Sequence, residues 1–181
     1  MELCQRWMIH QTVKPDQWIV VDDGKTPITP SAPMEYVRRE PRGNDPKCTL
    51  AVNLREALPR ITGNKILVIE DDEYYAPGYI AEMSRRLDAY ELVGICRSKY
   101  YHIPTGGYMI NGNGGHASLA ETGFRASFLP VVSSCIGKGI DVTWLDTQLW
   151  KYANTSGRRS HHLFVDSDDP LYVGIKGLPG R

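Results

Sequence analysis

Apolar positions in the first part of the chain follow two rhythms. Leu3, Trp7 and Met8 share one face of a helix predicted over residues 2–11, and Lys14-Pro15-Asp16 breaks that pattern with a turn. Trp18-Ile19-Val20-Val21 is instead a continuous apolar run, as expected of a strand covered on both faces, and it ends at Asp22-Asp23-Gly24. Between Lys25 and Lys47 stand five prolines among polar residues, which predicts a long irregular connection of the kind that borders a ligand.

The helical rhythm returns at Leu50, Leu54, Leu58 and Ile61, and Thr62-Gly63-Asn64 stops it. Lys65-Ile66-Leu67-Val68-Ile69 is a second buried strand, ending in Glu70-Asp71-Asp72-Glu73. Pro77 then opens a helix whose apolar stripe is Tyr79, Ile80, Met83 and Leu87. Strands are expected over Leu92–Cys96, around Tyr100–Ile103 and Tyr108–Ile110, and near Leu163–Val165 and Tyr172–Ile175, with helices over 124–136 and 144–153. Strands alternating with helices predict an α/β fold, a mostly parallel central sheet flanked by helices, in a single domain over 1–181.

Composition narrows the functional classes. Lysine plus arginine and aspartate plus glutamate each count 21, so no net field draws the protein toward a polyanion. Arg125, Arg158 and Arg159 would suit phosphates but are equally ordinary surface residues. No apolar run of about eighteen residues predicts a membrane span, the start MELCQRWMIH lacks the apolar core of a signal peptide, and a cytoplasmic location is the default expectation. Cys4, Cys48, Cys96 and Cys135 form no C-x-x-C pair and read as reduced thiols.

Candidate chemistry gathers at the strand ends. In an open parallel sheet ligands bind beyond the carboxyl ends of the strands, where both Asp22-Asp23 and Glu70-Asp71-Asp72 fall. Crowded carboxylates repel unless a cation lies between them, which points to Mg²⁺ or Mn²⁺. The same acids also suit a solvated turn at a helix start. His161 and His162 are adjacent, so on a strand only one faces any given site.

The run Trp18–Gly24 followed by Ile66–Asp72 resembles the family 2 class of GT-A glycosyltransferases, including small enzymes of the tailed-phage type. The resemblance implies a GT-A fold and a metal-dependent, inverting transfer of a sugar from a nucleotide-diphosphate donor. It implies that Asp22 or Asp23 contacts the nucleotide base, and that Glu70-Asp71-Asp72 stands in the place of a D-x-D motif. In that motif Asp72 is the firmer ligand and Glu70, longer by one methylene, the departure. Asp146 resembles the acid that deprotonates the acceptor, although an aspartate in a first helical turn also serves as a cap, and Asp141 competes for the role. A late histidine, His161 or His162, would complete the metal shell. Lys176 and Arg181, in a glycine-rich basic tail, would neutralise the diphosphate or simply belong to a frayed end. Family members begin with a strand that this chain lacks, and without it a buried sheet edge would be unpaired. The acceptor that the resemblance implies is a modified DNA base or a glycan. The alternatives are a sugar-phosphate nucleotidyltransferase, and a non-catalytic module that binds glycan or nucleic acid.

Overall fold

The computed structural model describes residues 1–31, 33–137, 144–156 and 161–178. Helix α1 (Glu2–Ile9) buries Cys4, Gln5 and Met8, so its inner face is rotated away from Leu3, which is exposed. Strand β1 (Ile19–Asp22) pairs in parallel with β2 (Glu35–Arg38), which lies inside the proline-rich stretch expected to be irregular. Helix α2 (Leu50–Ala57) and the turn Leu58–Arg60 turn Leu50, Leu54 and Leu58 toward the interior. Strands β3 (Lys65–Leu67) and β4 (Tyr74–Tyr75) flank the acidic run. Helix α3 (Tyr79–Ala89) buries the expected stripe of Tyr79, Ile80, Met83 and Leu87.

The second half is built on one long strand, β5 (Leu92–His102), which absorbs two of the expected strands. A tight turn through Gly106, at φ 64°, folds β6 (Gly107–Gly112) back on it. There follow β7 (Thr122–Arg125), α4 (Leu129–Gly137), α5 (Leu145–Thr155), β8 (His161–Val165) and β9 (Tyr172–Lys176).

The expectation of a GT-A fold with a mostly parallel central sheet flanked by helices is overturned. The main sheet is mixed and strongly curled into a half-barrel, ordered β3-β7-β5-β9-β4, with β6 and β8 also paired to β5. β3 with β7, β7 with β5, β6 with β5 and β4 with β9 are antiparallel, whereas β8 and β9 run parallel to β5. The cause is local. A parallel neighbour needs a crossover of a dozen or more residues, usually through a helix, and the short turn after β5 rules that out for β6. Residues 122–125, the last two of which were expected to open a helix, instead form the strand that reverses direction beside β5. A register shift between Ile95 and Arg97 bends β5, so its first half meets β7 and β8 and its second half β6 and β9.

Two buried clusters lie on the two sides of the strands. One joins Cys4 and Met8 of α1 to Ile80, Met83 and Leu87 of α3 and Ile95 of β5. The other joins Val132, Leu149 and Trp150 of α4 and α5 to Leu92 and Phe124. Among the described residues no helix is long and apolar enough to cross a membrane.

Candidate functional site

Strand β3 delivers the chain to Glu70, and the acidic run is held by groups around it rather than left as a loose turn. The Glu70 amide donates to the Tyr75 hydroxyl at 2.9 Å, and that fully buried hydroxyl donates to the Ala120 carbonyl at 3.3 Å. Glu73, only 3% exposed, accepts from the Ile175 amide and, at 2.8 Å, from Lys176 Nζ. This carboxylate therefore ties the acidic run to β9. Asp71 accepts the terminal ammonium of Met1 at 3.0 Å.

Ligand oxygens of Glu70, Asp72 and Glu73 lie within 4.8 Å of one another. Burial, then the charges of Asp72 and Glu73, push the Glu70 carboxyl up to about 7, with Lys176 opposing. Burial also raises Glu73, against the pull of Lys176 and the Ile175 amide. An all-oxygen donor set fits a hard divalent cation. Mg²⁺ at about 2.1 Å from each ligand would place opposing oxygens about 4.2 Å apart, so a small closure of this cluster suffices. Of the acids expected at the metal, the structure brings Glu70 and Asp72 together and adds Glu73, to which the sequence reading gave no role.

The first acidic pair is bound up within its own chain. Asp22, 8% exposed, accepts from the amides of Gly24 at 2.9 Å and Ile28 at 3.0 Å and from the Tyr36 hydroxyl at 2.8 Å, with Arg38 at 3.4 Å. Burial alone would raise its carboxyl, but these donors outweigh that and hold it below the usual range. Asp23 pairs with Arg39, which also binds Asn53 and Asp45 at 2.7 Å each. Asp22, Asp23, Glu70, Asp71 and Asp72 nevertheless border one cleft of 1790 Å³ that runs between β1 and β3. The acidic part of its lining, with Glu73 beside Glu70 and Asp72, is the candidate site.

The histidines stand elsewhere. They point to opposite sides, as adjacent strand residues must: His161 meets the edge of Trp150, and His162 stacks on Tyr90 and accepts from Arg86 at 3.0 Å. Burial and then Arg86 hold His162 below its usual value, so it is a neutral acceptor there. His161 is level with Leu92, whereas Ile175, beside Glu73, is level with Tyr101. Nine residues of β5 separate those levels, about 30 Å of extended chain. The structure does not bring His161 or His162 to Glu70 and Asp72.

Asp146 lies in the first turn of α5, where its Oδ1 accepts from the Thr147 amide at 2.6 Å, and the adjacent Leu145 lines the cleft. Arg125 is taken up by the end of α3, donating to the carbonyls of Leu87 and Asp88. Asp141, Arg158, Arg159 and Arg181 lie outside the described residues. Glu73, Tyr75 and Arg39 are the polar residues that sequence reasoning missed. The one available signal was Glu73 directly before an aromatic pair, which marks it as the start of a buried strand.

No protein-family model matches the chain, and no curated protein does. Among solved structures, the crystal structure of A197 from STIV is similar at 15% identity, over 82% of this chain and 84% of that one, with a TM-score of 0.37. A likeness of that size carries no argument about fold or function.

Proposed function

We propose that the chain is a metal-assisted transferase that moves a sugar from a nucleotide-diphosphate donor to an acceptor hydroxyl, on a DNA base or a glycan. The observation that carries this reading is the convergence of Glu70, Asp72 and Glu73 oxygens within 4.8 Å. Lys176 at the cluster, and the cleft whose lining Glu70 and Asp72 share with Asp22 and Asp23, add support.

Glu70 and Asp72 would hold Mn²⁺ or Mg²⁺, which supplies Lewis-acid neutralisation of the diphosphate. Glu73 holds Lys176 at the cluster, where its ammonium is aimed at charge that grows on the leaving diphosphate. Asp146 takes the acceptor's proton as the new bond to the anomeric carbon forms and the bond to diphosphate breaks, so the product is inverted. Asp71 is in this reading a flanking acid rather than a ligand.

The test is thermal unfolding against a panel of nucleoside diphosphates and nucleotide sugars, with and without Mn²⁺, on wild type and Asp72→Ala. A ligand at a hundred times its Kd stabilises by about 2.7 kcal/mol. A nucleotide-specific, metal-dependent rise that Asp72→Ala removes is expected. A flat response to every donor at millimolar concentration would sink the reading, and binding without donor hydrolysis would reduce it to a binding module.

A further inference from the structure

Strand β6 carries apolar side chains that stand in water on both of its faces. Tyr108 and Ile110, on one face, are 74% and 50% exposed, and Met109, on the other, 62%. Tyr101, opposite Tyr108 on β5, and Ile103 in the turn are exposed beside them. The outer edge of the strand is bare as well. The Asn113 amide donates to the Cys96 carbonyl at 2.7 Å, so Asn113 turns its main chain toward β5. Main-chain groups alternate along a strand, which aims those of Asn111 and Met109 at β5 and those of Gly112, Ile110 and Tyr108 away from it. Among the described residues no strand pairs with that edge.

Solvent-facing edges are usually blunted by a lysine, a proline, a bulge or sheer shortness. β6, Gly-Tyr-Met-Ile-Asn-Gly, has none of these: six residues, no charge, no proline, and a register with β5 that is unbroken from Gly107 to Gly112. At roughly 200 Å² for a large side chain, the exposed parts of Tyr101, Ile103, Tyr108, Met109 and Ile110 amount to on the order of 500 Å². An apolar patch of that size around an unblunted edge marks a surface that another chain covers.

We propose that β6 is a self-association edge: two copies of this chain pair their β6 strands antiparallel about a two-fold axis through Met109, joining two half-barrels into one sheet. The strand is complementary to itself in that register. Tyr108 and Ile110, whose main chains both face outward, each exchange two hydrogen bonds with the other's counterpart, and Tyr108 lies against the partner's Ile110, an aromatic beside a β-branched side chain. Met109 meets the partner's Met109 on the other face. An axis through Ile110 would instead set Tyr108 against a glycine and lose that packing. Charge permits the pairing, because identical charged surfaces repel and β6 has no ionisable side chain. Lys99, opposite Ile110, has its ammonium on the Asp168 carbonyl at 2.7 Å, and the whole chain has a formal net charge of zero. A charged partner would find no group on β6 to read. The area from two copies, about 1,000 Å², reaches the lower bound of a specific interface and suits a micromolar dimer. Such a sheet sets the two β9 strands, which carry Lys176, five strand spacings apart, about 24 Å. The inference stands independently of the transferase reading, which does not use β6.

The test is analytical ultracentrifugation of the full chain from micromolar to submillimolar concentration, with hydrogen exchange at both ends of that range. A reversible monomer–dimer equilibrium is expected, weakened about tenfold or more by Ile110→Lys and unchanged by Val165→Lys, which puts the same charge at an exposed apolar position of β8. Tyr108→Lys takes the place of Ile110→Lys if the latter loses its thermal transition. Dimerisation should protect the amides of Tyr108 and Ile110 and leave that of Met109, already turned to β5, as it is in the monomer. Directly opposed residues in a non-hydrogen-bonded pair have Cα atoms about 4.5 Å apart, within disulfide reach, so Met109→Cys should link two copies under mild oxidation where the wild type does not. A monomer at every concentration would overturn the proposal and leave the edge to a different chain. So would a dimer that both lysine variants on β6 leave intact, one that Met109→Cys links no better than wild type, or assembly that continues past the dimer, since a two-fold pairing uses the edge up.

Discussion

Glu70 is the residue whose surroundings most shape the candidate site. Its side chain is drawn out of water beside Asp72 and Glu73, and its carboxyl titrates at about 7 in the folded chain against 4.5 as the ordinary value. A carboxyl raised on folding costs nothing below the unfolded value, costs progressively more as pH climbs from about 4.5 to 7, and costs a constant amount above that. Glu70→Gln is therefore expected to leave stability almost unchanged at pH 4. At pH 8 without divalent ions it should raise stability by on the order of 2 kcal/mol. Urea unfolding at the two pH values measures this, and an equal change at both would show that the carboxylate is not strained by its neighbours. At this scale the crowding of Glu70 and Asp72 was legible, because acids adjacent in the sequence at a strand end stay close wherever the strand leads. Glu73 was not, since its partners, Ile175 and Lys176, lie more than a hundred residues downstream. The opposite facing of His161 and His162 follows from strand alternation, but their distance from the acids depends on pairing, which no local pattern carries.

Helices α1 and α3 are joined by one side chain. Gln11, 2% exposed, donates to the carbonyls of Ala76 at 2.8 Å, Trp7 at 3.2 Å and Tyr75 at 3.4 Å, and accepts from the Ile80 amide at 3.0 Å. The Ile80 amide belongs to the first turn of α3, where it has no partner within the helix. Gln11→Leu keeps the volume but strips both ends of the clamp, and leaving two buried groups unpaired costs about 2–4 kcal/mol. Denaturant titration should show that loss, whereas a change within about 0.5 kcal/mol would mean that water replaces the amide. Helix α3 was fully legible because its apolar stripe is unbroken. Strand β2 was hidden because Glu35-Tyr36-Val37-Arg38 sits among prolines and is half-buried throughout, so it has no apolar run to announce it. Strand β7 was misread because Thr122-Gly123-Phe124-Arg125 leads directly into helix-forming residues. Its exposure changes only because β3 and β5 close on it from both sides. Once β7 and the β5–β6 turn are in place, the parallel sheet inferred from alternating elements is no longer possible.

At the scale of the whole molecule, the cleft divides the chain into parts of unequal stability. The cleft is partly open, so contact between its two sheets runs chiefly through the elements along its walls. β5 has neighbours on both edges and fully buried residues such as Val93 and Ile95. Among the described residues β1 has one neighbour, and of its own residues only Val20 and Asp22 are buried. Among the described residues the links from the β1 region to the rest include the hydrogen bonds of Gln17 with Thr62, Arg55 with the Ile136 carbonyl and Gln5 with Ser31, and the packing of Leu50, Leu54 and Leu58 on the α4 and α5 cluster. Local opening follows burial and hydrogen bonding rather than a single global barrier. In native-state hydrogen exchange the β2-facing amides of Val20 and Asp22 are expected to open with several kcal/mol less free energy than those of Val93 and Ile95. Rising urea should bring the two groups together only near the global transition. Identical opening energies from the outset would mean that β1, β2 and α2 unfold only with the half-barrel, and that the cleft does not weaken the molecule along this line.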